Sequence, residues 1–328
     1  MNQPNNKWQH RTATILLVVF ALGVLMGVSL AGCAAKKPKT VVGFSQMEND
    51  SPWRITETNS IKQEAAKRAD RFELIVTDAQ GQASKQVADV KDLIARGVNA
   101  IFLAPREYDA LAPALQAAKE VKIPVFLIDR LAAGKAGEDY VTFLGSDFVA
   151  QGANAARWLV AETGAKANIV ELTGTPGSSV ARDRSQGFNE QVKTRPNMKV
   201  IASETADFSR EKAQQVMADI IKSKGKQFNA IYAHNDQMAL GAIEALKAAG
   251  MQPGKDALII AIDGERAALE AIIRGEMNAT IESSPRFGPL AFDTLERYLN
   301  KIRVPAKITV EDRLYDKNNA KEYVDEAY

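Results

Sequence analysis

The sequence predicts an α/β fold made of two doubly wound parallel sheets. From Lys39 onward, short runs rich in β-branched residues alternate with amphipathic helical segments, and the turns between them are short. A second series of the same kind begins near Tyr140. This alternation is typical of parallel sheets covered by helices on both faces. Since 328 residues are enough for two cores, we expect two lobes.

The first series contains four predicted strands with helical segments between them. The strands are short apolar runs, and the helices carry apolar residues at helical spacing. The predicted strands are 40–45, 72–76, 100–103 and 124–128, and the predicted helices are 53–69, 87–94 and 110–121.

The second series contains six predicted strands, again separated by helical segments. One helix is expected over 237–249, because Gly250 suits the position just after a helix end. No GxGxxG and no Walker loop follows any predicted strand, so we expect neither a nucleotide nor another cofactor. The predicted strands are 141–144, 168–172, 200–204, 230–233, 258–262 and 279–282.

The N-terminal segment has the pattern of a secretory signal peptide. Lys7 and Arg11 precede the apolar run 15–30, and small residues follow it. Cys33 comes directly after these small residues, an arrangement that resembles the lipobox of bacterial lipoproteins. We therefore expect residues 1–32 to be removed and Cys33 to be lipidated.

The alternative is a transmembrane anchor with an incidental cysteine, because the apolar run approaches the ~20 residues that a span requires. Under either interpretation the remainder is exported and attached to a membrane. In the lipoprotein interpretation, residues 33–39 form a tether between the lipid and the folded part.

The composition of the exported part excludes several classes of function. Without Lys7 and Arg11, 40 of the 42 basic side chains remain, against 40 acidic ones. No basic cluster follows 36–39, which disfavours nucleic acid as a partner. A single cysteine cannot form an internal disulfide, and His234 as the one remaining histidine makes a zinc site improbable.

Polar residues follow nearly every predicted strand. Ligands of open α/β sheets bind beyond the carboxyl ends of the strands, so these residues are candidates for a binding site. Each of them could instead form a turn or cap a helix, but their recurrence in both series favours a site. The segments are 46–54, 105–106, 129–130, 174–184, 207–208, 235–236 and 263–264.

Several of these segments carry motifs of a known family. With them, the chain resembles the type I periplasmic sugar-binding proteins of bacterial ABC importers, of the ribose- and galactofuranose-binding kind, over almost all of its exported length. The matching motifs are Val42-Gly43-Phe44-Ser45-Gln46, Trp53-Arg54, 57–59, 123–130, 181–188, 206–208, 233–242 and 262–264.

The resemblance implies a monosaccharide as ligand and a set of residues that would contact it. Trp53 and Phe208 would cover the apolar faces of the sugar, while charged and amide side chains would bind its hydroxyl groups. The implied binding residues are Asp50, Ser51, Trp53, Arg54, Asp129 and Arg130 from the first lobe and Arg184, Phe208, Asn235 and Asp263 from the second.

The resemblance also implies a hinge of three chain crossings. It places them near 144–146, 283–284 and 311–313. The N-terminal lobe would contain residues 40–144 and 284–312, and the C-terminal lobe residues 145–283 and 313–328. A sugar that contacts both lobes would favour their closed arrangement, which a membrane permease recognises while a separate ATPase supplies energy.

Three other functions are compatible with such a fold. A sensory protein would use the same cleft but deliver its closed form to a chemoreceptor or histidine kinase. A carbohydrate-acting enzyme could use Asp129 and Asp263 as paired carboxylates. We expect no enzyme, because pairing with Arg130 would lower the pKa of a carboxylate, against the needs of a general acid. A gene regulator is disfavoured because a signal peptide occupies the place of its DNA-binding headpiece.

Overall fold

The structure is a computed structural model that describes Met1 and residues 38–328. Within it, Lys39–Tyr328 packs as one unit. The expected signal peptide, the lipidated Cys33 and all of the tether before Pro38 lie outside the described residues. Among the residues that are described, no helix is both long enough and apolar enough to cross a bilayer.

Six parallel strands form the first sheet. They lie in the order β11-β5-β4-β3-β1-β2, where β1 is Thr40–Gln46, β2 Phe72–Asp78, β3 Ala100–Leu103, β4 Val125–Ile128, β5 Thr142–Gly145 and β11 Lys307–Thr309. The helices that cover it are α1 (Pro52–Lys67), α2 (Ala83–Ala95), α3 (Ala112–Glu120) and α9 (Gly288–Leu299).

Each face of this sheet has its own apolar core. Phe44, Phe102 and Phe126 pack with α1 and α9 on one face. Ile101 and Leu103, which alternate with Phe102 along β3, pack with α2 and α3 on the other. Strands buried on both faces read as continuous apolar runs, which explains the pattern in the sequence.

The second sheet also has six strands. They lie in the order β12-β10-β9-β8-β6-β7, where β6 is Ala167–Thr173, β7 Met198–Thr205, β8 Ala230–Ala233, β9 Leu258–Asp263, β10 Ala279–Glu282 and β12 Leu314–Asp316; β12 alone is antiparallel to its neighbour. The helices are α4 (Phe148–Thr163), α5 (Ser179–Lys193), α6 (Arg210–Lys224), α7 (Asp236–Ala248), α8 (Arg266–Ile273) and α10 (Ala320–Tyr323).

The α/β fold class with two sheets, predicted from the sequence, is confirmed. All ten predicted strands are present, with ends displaced by at most two residues. Gly250 follows Ala249, the C-cap of α7, and has a φ of 70°, as expected of a residue just past a helix end. The strands β11 and β12 were not predicted, because three residues with partly exposed side chains carry no clear periodicity.

The chain passes between the two sheets three times. It leaves the first sheet after β5, returns to it after β10, and crosses again between β11 and β12. The segment after β10 leads into α9, which packs against α1 of the first sheet.

Two glycines set the close approach of α4 and α5. A Cβ atom at Gly152 would lie 2.1 Å from the carbonyl oxygen of Arg184, and one at Gly187 would lie 2.0 Å from that of Val149. Only glycine allows the backbones to approach so closely. This contact fixes the position of α5.

We expect Gly187→Ala to lower the free energy of unfolding by about 1–3 kcal/mol, because α4 and α5 must separate to admit the methyl group. Urea unfolding measures this change. The sign of this change in unfolding free energy is informative, because in an unconstrained helix the same substitution stabilises the helix by about 1 kcal/mol. A variant with a higher unfolding midpoint would contradict the close contact.

Candidate ligand-binding site

A cavity of about 490 Å³ lies where the carboxyl ends of the strands of the two sheets meet. All ten side chains expected from the sequence to bind ligand line it: Asp50, Ser51, Trp53, Arg54, Asp129, Arg130, Arg184, Phe208, Asn235 and Asp263. The structure thus brings both halves of the predicted set together. Their contacts with a ligand stay a prediction.

Other lining residues were not among those ten. They include Glu48, Gln80, Gly81, Arg106, Asp207, Arg210, Lys212 and Gln237. Gln80 and Gly81 follow β2, so the same rule of strand ends would have found them. Arg210 and Lys212 belong to the first turn of α6, whose approach to the cavity depends on tertiary packing.

The start of α1 places two binding candidates in the cavity wall. Ser51 caps this helix, because its hydroxyl accepts a hydrogen bond from the backbone N–H of Arg54 at 3.3 Å. Pro52 occupies the first turn, where its missing N–H costs nothing. Trp53 and Arg54 therefore project from a rigid helix end.

Arg54 joins α1 to the end of β4 through a buried ion pair. One terminal nitrogen donates to Asp129 at 2.5 Å, and the other donates to Glu57 at 2.8 Å. Burial raises the pKa of Glu57 to about 7, against the opposing effect of the Arg54 charge. Asp129 lies closer to Arg54 than to Arg130, and the expected ion pair with Arg130 is also present, at 3.7 Å.

Most of the Trp53 side chain is buried by contacts with the rest of the protein. Its indole N–H donates to the carbonyl oxygen of Ser283 at 2.8 Å, and the Arg54 guanidinium lies 4.4 Å from its ring centre. Only 7% of the residue is exposed. Trp53 thus links α1 to the segment after β10, and only a small part of it faces the cavity.

Arg130 is the buried cation with the fewest partners in the cavity. One terminal nitrogen donates to the carbonyl oxygen of Arg106 at 2.8 Å, but its Nε has no hydrogen-bond partner. Burial, together with the nearby Arg54 charge, lowers the pKa of Arg130 to about 9. The guanidinium lies 5.2 Å from the ring centre of Phe208 on the opposite side of the cavity. It therefore has free capacity to donate to a ligand.

From the second sheet, Arg184 and Asn235 reach the cavity while also serving the fold. Arg184 donates to the carbonyl oxygen of His234 and lies 3.5 Å from Asp263. Asn235 caps α7, accepting from the N–H of Met238 at 2.9 Å. The helix-cap alternative considered for Asn235 is therefore correct, and its amide still lines the cavity.

Five non-glycine residues at the cavity adopt positive φ angles. These are Gln80 (53°), Asp129 (62°), Asp207 (56°), Phe208 (59°) and Asp263 (141°). Such conformations cost on the order of 1–3 kcal/mol each and persist where the surroundings enforce them. For Phe208, the ring packs onto Gly174, where a Cβ atom would lie 2.0 Å from it.

Arg106 and Asp207 connect the two sides at the rim of the cavity. Arg106 lies 2.6 Å from Glu48 on its own side and 3.9 Å from Asp207 on the other. Asp207 in turn pairs with Lys212 at 2.7 Å. Acidic and basic side chains thus alternate along the rim, from Glu48 through Arg106 and Asp207 to Lys212.

Residues 42–302 match the model of the periplasmic binding protein domain. This chain belongs to that family.

Individual members show how far the likeness extends. The chain is 42% identical to the galactofuranose-binding protein YtfQ of Escherichia coli (strain K12), over 94% of this chain and 96% of that protein. It also resembles the structure of the binding component of the arabinose ABC transporter from Shewanella sp. ANA-3, bound to alpha and beta-L-arabinofuranose. That TM-score is 0.84 at 37% identity, covering 88% of this chain and 95% of the other.

A third relative has a different context. The structure of the fructose-binding periplasmic domain of the hybrid two-component system BT1754 gives a TM-score of 0.81 at 27% identity, covering 87% of this chain and 93% of that one. The fold of this periplasmic binding protein therefore also occurs in sensor domains.

His234 is a structural residue in this periplasmic binding protein. It is fully buried, and one ring nitrogen lies 3.1 Å from a carboxylate oxygen of Glu171. The other ring nitrogen accepts from the N–H of Gly174 at 3.3 Å. Burial lowers the pKa of His234, so the ring is neutral at physiological pH. Within the described part of the chain, no cluster of His, Cys, Asp or Glu could hold a metal ion.

Three buried carboxyl groups lie close together on the side of the second sheet: Asp263 lines the cavity, and Asp236 and Glu265 lie at helix starts beside it. Burial raises the pKa of Asp263 and of Asp236 well above the ordinary value, and that of Glu265 to about 7. Asp236 accepts from the hydroxyl of Thr280 at 2.6 Å and from the N–H of Glu265 at 2.8 Å. The raised pKa of Asp263 was not expected from the sequence, where only the effect of arginine pairing was considered.

Glu265→Gln tests the cost of this buried charge. Because the pKa of Glu265 is about 7 when folded and 4.5 ordinarily, the folded state holds the proton more tightly. The wild type therefore loses stability as the pH rises from 5 to 7, and the variant lacks this loss. We expect the variant's advantage in unfolding free energy to grow by roughly 2 kcal/mol between pH 5 and pH 8.

Urea unfolding at several pH values measures the difference in unfolding free energy between the variant and the wild type. The lowered pKa of His234 changes stability with pH in the opposite direction, but this change cancels because both proteins contain His234. A difference independent of pH would show that Glu265 is ionised in the folded state throughout this range.

Proposed function

We propose that this protein is the solute-binding component of an ABC importer and captures a monosaccharide in the cavity, galactofuranose or a related furanose or pyranose. The observation that carries the proposal is the convergence of hydrogen-bonding side chains from both sheets on one cavity, next to Trp53 and Phe208. The relationship to YtfQ and to the arabinose transporter component supports this ligand class.

The charge of the cavity supports an uncharged ligand. Six basic and six acidic side chains line it, so neither sign of charge dominates the wall. They are Arg54, Arg106, Arg130, Arg184, Arg210 and Lys212, and Glu48, Asp50, Asp129, Asp207, Glu211 and Asp263. Sugar hydroxyls both donate and accept, and charged partners make such hydrogen bonds short and strong.

Binding would act through the arrangement of two lobes, 40–144 with 284–312 and 145–283 with 313–328. The three crossings between the sheets would form the hinge. A sugar held from both sides binds the closed arrangement better and shifts the population toward it. The closed protein would then deliver the sugar to a membrane permease whose ATPase is a separate protein.

Attachment to the membrane would come from the N-terminal segment. Its signal-peptide pattern and Cys33 support export, removal of 1–32 and lipidation. Metabolic labelling with a fatty acid, with Cys33→Ser as control, tests this part independently of ligand binding. Label retained in the variant would overturn it.

The alternative function is sugar sensing for a chemoreceptor or histidine kinase. It is favoured by the likeness to the fructose-binding domain of a two-component system. Genes for a permease and an ATPase beside the gene of this protein support import, whereas a kinase gene there supports sensing.

A thermal-shift panel tests the ligand class. D-galactose, L-arabinose, D-ribose and D-fructose each form furanose rings in solution, and D-galacturonate serves as an anionic control. A bound sugar raises the melting temperature because it stabilises the native state alone. We expect a neutral sugar to raise it and D-galacturonate to leave it unchanged. Recovery of the sugar unchanged after incubation would support binding without catalysis, and a shift by D-galacturonate alone would overturn the neutral class.

Arg130→Ala should weaken binding of the best sugar at least tenfold. Arg130 lines the cavity and makes one hydrogen bond to the protein, through a terminal nitrogen, and hydrogen bonds to charged groups contribute about 1.5–3 kcal/mol. Titration calorimetry measures the change, with Arg157→Ala, an exposed arginine outside the cavity, as control. Unchanged affinity would remove Arg130 from the site.

A further inference from the structure

Gln151 lies directly beside a cavity residue without lining the cavity. It belongs to the first turn of α4 and is 1% exposed. Its side-chain oxygen accepts from Nε of Arg184 at 2.9 Å. Since another nitrogen of that guanidinium bonds to the carbonyl oxygen of His234, two partners fix the plane that Arg184 presents to the cavity.

The amide nitrogen of Gln151 faces the crossings between the sheets. It donates to a carboxylate oxygen of Asp312 at 2.8 Å and to the carbonyl oxygen of Glu282 at 3.2 Å. The other carboxylate oxygen of Asp312 accepts from the hydroxyl of Ser146 at 2.8 Å. Ser146 follows β5, Glu282 ends β10, and Asp312 lies between β11 and β12. Gln151 thus bonds directly to two of the crossings and, through Asp312, is connected to the third.

The donor and acceptor roles in the hydrogen bonds of Gln151 are defined by its neighbours. Burial raises the pKa of Asp312 to about 6, so the group is a carboxylate at neutral pH and accepts from both neighbours. The nitrogen of Gln151 must then point to Asp312, which leaves only its oxygen for Arg184. The charged groups that face Asp312 are Arg184 and Glu282.

We propose that Gln151 is a positioning residue that couples Arg184 to the hinge. Its hydrogen bonds hold Arg184 toward the ligand only while the three crossings keep the arrangement seen here. A change in the crossings that moves Asp312 or Glu282 must either break these bonds or turn the amide away from Arg184. This inference rests on the proposed function, in which Arg184 contacts the sugar.

Gln151→Met tests the coupling, because methionine keeps the length and approximate volume of the side chain but none of its hydrogen bonds. We expect the dissociation constant for D-galactose, measured by calorimetry, to rise at least tenfold. We also expect a larger radius of gyration in small-angle X-ray scattering without ligand, because the crossings lose their common partner.

Asp312→Leu provides a second variant of similar shape. Leucine has no oxygen to accept from Ser146 or Gln151, so scattering should show the same expansion, although the change lies outside the cavity lining. Asn278→Leu is the control, since it also removes two hydrogen bonds to backbone, at Ile259 and Gly254, but lies at the opposite end of β10 from the crossing at Glu282. It should lower the melting temperature alone.

A Gln151→Met protein with wild-type affinity and wild-type radius, and only a lower melting temperature, would overturn the proposal. If the wild type binds none of the sugars, the proposed function fails, whereas the scattering of the ligand-free variants still decides whether Gln151 controls the hinge. Expansion of both variants but not of Asn278→Leu supports it in that case too.

Discussion

The buried ion pair between Arg54 and Asp129 is the interaction on which the cavity depends. It joins the start of α1 to the end of β4 and satisfies two charges that are almost fully removed from water. Removal of one partner from such a pair costs about 3–5 kcal/mol, because the other charge stays buried. The adjacent Arg130 lines the cavity, and its one hydrogen bond to the protein goes to the carbonyl oxygen of Arg106.

On the side of the second sheet, the cavity also contains a buried arginine that is oriented by hydrogen bonds to the protein. Arg184 is oriented by Gln151 and by a backbone carbonyl, and its distance from Asp263 is too long for a direct hydrogen bond. Burial then keeps the pKa of Asp263 high. Both sides therefore offer cations whose hydrogen bonds to the protein leave some capacity unused. A ligand rich in hydroxyl groups is the natural complement of such an arrangement.

Some residues that line the cavity also stabilise the fold. Asn235 caps a helix and Ser51 caps another, while Trp53 binds the backbone of a crossing. In a parallel sheet, the residue that caps the helix after a strand lies at the carboxyl end of that strand, where ligands bind. The structural and binding roles of these side chains are thus compatible, because a capping side chain uses only part of its hydrogen-bonding capacity.

The sequence by itself determined the two-sheet fold and the ten side chains that meet at the cavity, because strand periodicity and the strand-end rule are local, and because the family motifs mark the same positions. Only the tertiary structure decided how those side chains are paired. Arg54 donates to Asp129, and Gln151 donates to Asp312. These contacts link residues 75 and 161 positions apart, whose distance in space depends on packing. The pKa of Asp263 is equally a product of burial, which no local pattern specifies.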